Sequence, residues 1–332
     1  MPGPPPAVAA ARVALRRWLQ ESGLEPGSRV LLACSGGPDS LALTAAAGFV
    51  APREGYAVGA VIVDHALQPG SAEVAQEAAG RCRALLPEGS PVEVVRVAVQ
   101  ATGGGPEARA REARYAAIAE TAQRLDARAV LLGHTRDDQA EQVLLGLARG
   151  SGARSLAGMP VRRPLRDGVL LGRPLLDLTR DQTVAACAEL GLVPFRDPHN
   201  ADRRFARVRA REALALLEGD LGPGVAGSLA RTADLLRDDA DALDALADTA
   251  YLDLGGQPWD VPSLLDLPRA VRTRLWRRLA LEQGSPGTDL TGEHLRAVDA
   301  LVTDWRGQGP LHLPGGVRAT RTGEGVRVRR EA

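Results

Sequence analysis

The sequence predicts an α/β protein: a parallel sheet with helices on both faces, then a smaller, mainly helical second domain ending in a β-ribbon. Three observations predict it. Short apolar runs alternate with stretches of helical spacing over the first half of the chain, the pattern of a parallel sheet covered on both faces. Unusual polar segments follow Ala33, Val63 and Leu132, at the carboxyl ends of three of those runs, where such sheets bind ligands. After about residue 219 the pattern changes to an apolar seam with a 3.5-residue period.

Each element follows in order. Residues 1–8 are Pro-rich and expected to be disordered. A helix is expected over 9–20. The run Val30-Leu31-Leu32-Ala33 reads as a buried strand over 29–33 that ends in a glycine turn, and helical spacing resumes at Leu41. Strands are then expected over 57–64, 92–97 and 129–133, with helices over 71–86, 106–125 and 138–149. Leu229, Ala233, Leu236, Ala240, Leu243, Ala247 and Ala250 line one face of a long helix, and Asp238, Asp239, Asp241, Asp244 and Asp248 line the other. Residues 260–305 are helical in pattern, and 311–330 alternate Val with Arg around glycines, as a small β-ribbon does. The domains expected are 9–218 and 219–332. Trp276 and Trp305 read as core or anchor residues.

Composition narrows the chemistry. The chain has 332 residues, 45% hydrophobic and 25% charged, with 41 cationic against 41 acidic side chains. That is an ordinary globular profile with room for two cores, and no apolar run reaches membrane-span length. The first residues lack the basic and apolar regions of a signal peptide, so a cytoplasmic location is expected. Every one of the 41 cations is arginine, which excludes a lysine Schiff base and the lysine-bearing phosphate loop. The three cysteines, Cys34, Cys82 and Cys187, form no C-x-x-C, which argues against a disulfide framework, a cysteine-rich zinc site or an iron–sulfur cluster. Cys34 reads as a small buried apolar residue. Aromatics are 3% of the chain, so a base-stacking platform is small, and a net charge of zero makes any basic patch local.

The central motif is Ser35-Gly36-Gly37-Pro38-Asp39-Ser40, between a strand and a helix. Two glycines let the backbone turn tightly and present N–H groups to an anion, and the helix adds its positive end. The serine hydroxyls can donate to phosphate oxygens, and Asp39 can hold a Mg²⁺ that bridges them. The loop can therefore hold a polyphosphate without a lysine. This hexapeptide resembles the pyrophosphate loop of the N-type ATP pyrophosphatases, with their adenine-nucleotide-α-hydrolase-like fold.

Further segments occur in order: Val63 to Ser71, Ala110 to Tyr115 after the glycines at 103–105, Gly133 to Glu141, Arg149 to Gly152, Leu156 to Met159, Arg173 to Leu176 and Asp197 to Asn200. Together they resemble the tRNA(Ile)-lysidine synthetase family over about residues 28–215. The resemblance makes 9–218 the ATP-pyrophosphatase catalytic domain and 219–332 a C-terminal tRNA-binding domain with a long linker helix; the latter resembles the family's first C-terminal domain more loosely, and the chain looks like the short form of the family. The resemblance implies that ATP adenylates the C2 oxygen of the wobble cytidine in an isoleucine tRNA with a CAU anticodon. The ε-amine of free lysine then attacks C2 and AMP leaves. It also implies ATP and Mg²⁺ at Ser35 to Ser40 and His65, with metal at Asp39 and Asp137. His134, Asp137, Asp138 and Glu141 serve the adenylate and the lysine. Arg111, Arg114, Arg203, Arg207, Arg209 and Arg211 serve the tRNA, and a homodimer is possible.

Each residue has a bland alternative at this point. The three acids could satisfy only a helix dipole, His134 and His65 could be packed at strand ends, and the arginine runs could be solvated faces. Val208, His199 and Gln68 stand where the family usually has Asn, Ser and Arg. Two other functions remain alternatives: a tRNA thiolase on the same fold, whose relatives generally carry paired cysteines, and a non-catalytic tRNA-binding protein with a relic nucleotide site.

Overall fold

The computed structural model describes residues 3–64, 66, 70–97, 106–150, 152–195, 197 and 202–331. It divides into two compact units, Met1–Arg149 with Gly158–Ala233, and Gly150–Ala157 with Asp234–Ala332.

In the first unit β1 (Arg29–Ala33), β2 (Ala57–Asp64), β3 (Val92–Arg96), β4 (Ala127–Leu132), β5 (Arg162–Arg166) and β6 (Val169–Gly172) form one sheet in the order β3-β2-β1-β4-β6-β5. All neighbours pair in parallel except β5 with β6. Successive strand side chains alternate between faces. Val30 and Leu32 of β1 thus join a core with α1 (Pro6–Glu21), α2 (Pro38–Val50), α3 (Ser71–Leu85) and α7 (Arg180–Glu189), while Leu31 packs on the opposite face with Ile118 and Ala122 of α4 (Pro106–Arg124). The chain proceeds outward from β1 to β2 and β3, then returns to place β4 on the other side of β1. That reversal puts the topological switch point between the carboxyl ends of β1 and β4, where an open α/β sheet offers a crevice.

Three differences from the sequence pattern have local causes. Helix α1 starts at Pro6, inside the stretch expected to be disordered, because Pro6 suits a first helical position and the Glu189 carboxylate accepts from the Ala7 and Val8 amides at 3.5 and 3.0 Å. The β5–β6 hairpin was not anticipated: its edge strand is arginine-rich and contains Pro164, and its partner has four residues. Helix α7 was also missed, although Thr179 and Gln182 form a capping box readable as T-x-x-Q.

The second unit begins within α9 (Val225–Leu254) and contains α6 (Ala153–Leu156), α10 (Val261–Leu265), α11 (Arg269–Glu282), α12 (Gly292–Thr303) and a three-stranded antiparallel sheet of β7 (Leu311–Leu313), β8 (Val317–Thr322) and β9 (Gly325–Arg330). Its core holds Trp259 and Trp276, tilted with ring centroids 6.0 Å apart. Trp276 is buried as expected, but Trp305 is 44% exposed with the Arg321 guanidinium 4.5 Å from its ring centroid, so it anchors no core. The acidic face of α9 is partly ion-paired: Asp241 and Asp244 take Arg154, Asp244 takes Arg274 and Asp248 takes Arg278.

Candidate active site

The loop after β1 carries the phosphate-binding motif. Gly36 has φ +80°, a conformation that L side chains rarely adopt, and a Cβ there would meet the Ala78 Cβ at 3.2 Å. The Gly36 carbonyl accepts from the Phe195 amide at 2.9 Å. The Ser40 hydroxyl accepts from the Ser35 amide at 3.2 Å and donates to the Gly37 carbonyl at 3.0 Å. Pro38 then opens α2, whose first-turn amides have no intrahelical partner and lie at the helix's positive end. Behind this turn Gly133, at the end of β4, admits α2 so closely that a Cβ would lie 2.7 Å from the Asp39 carbonyl oxygen. The switch point therefore brings the phosphate loop and the Gly133-His134 segment into contact.

Asp39 lies among the acids of α5 (Arg136–Ala148) at this junction. Burial pushes its carboxyl up to about 6, helped by Asp138 and Asp137, while the Thr183 hydroxyl and Arg180 oppose the rise. Thr183 donates to Asp39 Oδ1. Asp137 accepts at Oδ2 from the Arg180 amide at 2.8 Å. Asp138 is the third helical residue of a capping box, its Oδ2 accepting from the Thr135 amide at 2.8 Å and its Oδ1 from Arg180 Nη2 at 3.1 Å. Burial opposes ionisation of Asp138, but His134, Arg180 and the Thr135 amide outweigh it and hold the carboxyl below its usual range. Glu141 is 1% exposed; its Oε1 accepts from Arg211 Nε at 2.8 Å and Arg180 Nη1 at 3.4 Å, and its Oε2 is buried with no partner among the described residues. Arg180, with Nε 3.8 Å from Asp39 Oδ2, thus meets all four acids.

His134 is the other half of the junction. Burial lowers its ring to about 3, reinforced by Arg173, Arg207 and Arg114 against the opposing Asp138. It is therefore neutral at pH 7. Nδ1 accepts from Arg173 Nε at 3.2 Å, which assigns the ring proton to Nε2. Arg173 continues to an arginine cage around Tyr115, with Arg111, Arg114 and Arg163 at 5.2, 5.5 and 5.5 Å from the ring centroid. Burial raises the Tyr115 hydroxyl, but Arg111, Arg114, Arg173 and Arg163 outweigh it and draw it down. These guanidinium groups concentrate positive charge around one hydroxyl.

The arginine stretch divides its work. Arg203 pairs with Glu212 at 3.0 Å and Arg204 with Asp202 at 2.7 Å. Arg209 Nη1 donates to the Arg203 and Arg204 carbonyls at 2.7 and 2.9 Å, fixing the turn into α8 (Ala206–Leu221). Arg211 enters the acid cluster, and Arg207 acts electrostatically on His134, Asp138 and Arg114. Val208 is buried, so the side chain that replaces the family's usual Asn faces the packed side of α8.

Residues 10–217 match the family described as PP-loop domain, and residues 260–332 match that described as TilS substrate binding domain. A tRNA(Ile)-lysidine synthase from Thermobifida fusca is 56% identical over 97% of this chain and 97% of its own length. Those from Salinispora tropica (54%, covering 95% of this chain and 94% of that one) and Streptomyces coelicolor (48%, covering 98% and 99%) are similar along equal spans. The chain belongs to the tRNA(Ile)-lysidine synthase family. A U34-tRNA thiolase from Methanococcus maripaludis with a [4Fe-4S] cluster superposes with a TM-score of 0.58 at 18% identity, covering 70% of this chain and 80% of that one, which establishes a shared fold alone.

Family membership favours the ligase over the thiolase reading. Cys34 is buried, as the sequence reading expects, and so are Cys82 and Cys187; the neighbouring Cys82 draws the Cys34 thiol down and is itself pushed up. Among the sequence-selected residues, the Ser35–Ser40 loop, His134, Asp137, Asp138 and Glu141 meet at one junction. Arg207, Arg211 and Arg114 approach it. Arg203 and Arg209 are engaged in local contacts. His65, Gln68 and His199 lie outside the described residues. Sequence reasoning missed Arg180, Thr183, Arg163 and Arg173 as site residues. The T-x-x-Q cap that starts α7 at Arg180 offered one signal, and Arg173 opens a segment of the family pattern to which the sequence reading gave no role.

Proposed function

We propose that this chain uses ATP to adenylate the C2 oxygen of the wobble cytidine in tRNA(Ile) with a CAU anticodon, breaking the α–β phosphoanhydride and releasing diphosphate, then joins the ε-amine of free lysine to C2. The N–C bond forms as the C2–O bond to AMP breaks, and the amine's proton passes to a carboxylate. The observation that carries this reading is the meeting of the Ser35–Ser40 loop with four acids at one sheet switch point.

Ser35, Ser40 and the first-turn amides of α2 hold the polyphosphate. Among the described residues no set of three or more His, Cys, Asp or Glu side chains is arranged to cage a metal alone. The donors nevertheless suit Mg²⁺, which takes one or two carboxylates and completes its shell with phosphate oxygens and water. Asp39 would hold it, with Asp137 beside it, and bound Mg²⁺ would neutralise charge on the transferring phosphate. Neutral His134 donates from Nε2 to the adenylate or the base, and the cage of Arg111, Arg114, Arg163 and Arg173 holds a phosphate of the RNA or the nucleotide.

Lysine must react as a free amine. Glu141 Oε2, buried and with no partner among the described residues, suits the incoming ammonium and then its proton. A cavity of about 390 Å³ beside Asp137 is lined by Arg136, Asp181, Glu218 and Arg231, whose mixed charge complements an amino acid's ammonium and carboxylate. Arg203, Arg207, Arg209 and Arg211 approach the tRNA from the start of α8. The reaction is assigned to the cytoplasm, and a homodimer stays compatible with it.

The test is incubation with Mg-ATP, labelled lysine and a tRNA(Ile) transcript carrying CAU, beside a methionine tRNA with the same anticodon. Label confined to the isoleucine tRNA, with AMP released, is the expected result. Adenylated tRNA without label would refute lysine as the nucleophile.

A further inference from the structure

Gln139 sits among the acids of α5 in sequence but directs its polar atoms elsewhere. It is buried, and its side-chain amide makes two bonds to one residue's backbone. Nε2 donates to the Met159 carbonyl at 3.0 Å, and Oε1 accepts from the Met159 amide at 2.7 Å. A backbone N–H can only donate and a carbonyl only accept, so the pairing fixes which way the Gln139 amide faces. Gly158 closes this clamp: its φ is +63°, and a Cβ there would lie 2.6 Å from Gln139 Oε1.

The clamped segment leads straight to the junction. The Pro160 carbonyl accepts from Arg173 Nη1 at 2.7 Å, and the Val161 carbonyl accepts from the Arg173 amide at 2.8 Å. Backbone and fork of Arg173 are thus both held by the two residues that follow Met159. A guanidinium is planar and rigid, so fixing Nη1 aims Nε. That Nε donates to His134 Nδ1 at 3.2 Å. His134 lies just ahead of α5, so the contacts close a ring from Gln139 through Met159, Pro160 and Arg173 to His134 and back along the chain.

A neutral imidazole left to itself can carry its proton on either nitrogen. A donor held at Nδ1 removes that choice and also holds the ring plane, as partners behind a functional histidine do. We propose that Gln139 is a positioning residue for His134: by clamping Met159 it sets Pro160, and through Pro160 the Arg173 fork that holds Nδ1 and keeps the ring proton on Nε2. This role rests on the donor function given to His134 above. Because Gln139 is uncharged, its loss leaves the net charge of the junction as it was.

The experiment compares the full chain with Gln139→Met, which keeps the side chain's length and removes both bonds to Met159. Two readouts are taken at a temperature where circular dichroism shows both proteins folded. One is steady-state AMP release with Mg-ATP, lysine and the tRNA(Ile) transcript; the other is the ¹⁵N spectrum of histidine-labelled protein, with His134→Asn assigning the resonances. The expected result is a kcat lower by about ten- to a hundredfold, with KM for ATP and tRNA within about twofold of wild type. The His134 nitrogens should move from a fixed Nε2–H tautomer toward an average of the two. Gly158→Ala, which intrudes on the same clamp from the other side, should give the same pair of changes. Wild-type kcat with an unmoved His134 signature overturns the proposal. So does a lower kcat with the tautomer unmoved, which marks a purely structural residue. If neither variant folds, the wild-type spectrum decides: a proton on Nε2 alone supports the ring of contacts, and a proton on Nδ1 overturns it. Wild-type protein that releases no AMP with the transcript would sink the ligase reading, while the ¹⁵N comparison would still decide the role of Gln139.

Discussion

Asp39→Asn separates stability from function. Burial, Asp138 and Asp137 raise the Asp39 carboxyl to about 6 from an ordinary value of 3.8. Folding therefore disfavours its ionised form. Below about pH 4 the group is protonated folded or unfolded and the penalty vanishes; it grows between pH 4 and 6 and is complete above 6. At 1.36 kcal/mol per pKa unit this costs about 1 kcal/mol at pH 4.5 and about 3 kcal/mol at pH 7.5. The asparagine keeps an oxygen for the Thr183 hydroxyl and removes the charge. The variant's catalytic unit should thus melt roughly 5–10 °C above wild type at pH 7.5 without Mg²⁺, with a smaller gap at pH 4.5. Mg-ATP should narrow the gap by stabilising only the wild type, and the variant should lose tRNA adenylation by at least about a hundredfold. Differential scanning calorimetry at both pH values tests this beside AMP release. A variant that melts at or below wild type at pH 7.5, or a gap independent of pH, refutes the reasoning.

Other substitutions probe the same junction. Gly133→Ala pushes a Cβ to within 3 Å of the Asp39 and Ser40 backbone, so denaturant unfolding should show a loss of about 1–3 kcal/mol, and AMP release should slow tenfold or more. Arg180→Gln takes the shared cation from Asp138 and Glu141; with Arg211 and Thr135 still in place, unfolding should register a loss of about 2–3 kcal/mol, below the full cost of breaking a buried pair. Because Arg180 also opposes the rise at Asp39, the acid limb of this variant's pH–rate profile should move to higher pH. Arg207→Ala should weaken tRNA binding and reduce its salt slope by about one, with ATP affinity unchanged in a filter-binding assay.

The residues also differ in how far local pattern alone could place them. The apolar run at Val30–Leu32, the Gly36-Gly37 turn and Pro38 at the start of α2 specify a phosphate loop from nearest-neighbour chemistry, and the alternation of periods 2 and 3.6 specifies a covered parallel sheet. These are short-range effects of sterics, capping and burial, so a linear reading recovers them. The acids at 137, 138 and 141 were legible as a helix start, but their division of labour was not. Asp138 is committed to a capping box, Asp137 to the α7 amide, and Glu141 keeps a buried oxygen with no partner among the described residues. That division depends on Arg180, 39 residues beyond Glu141, and on Thr183 reaching Asp39 across 144 residues. Likewise Arg318 and Arg329 become a repelling pair only through the register of β8 on β9. By itself the sequence determined the fold class and the family. Which charges share an environment was decided only by the tertiary structure, because desolvation and Coulomb interactions depend on distance in space and not on separation along the chain.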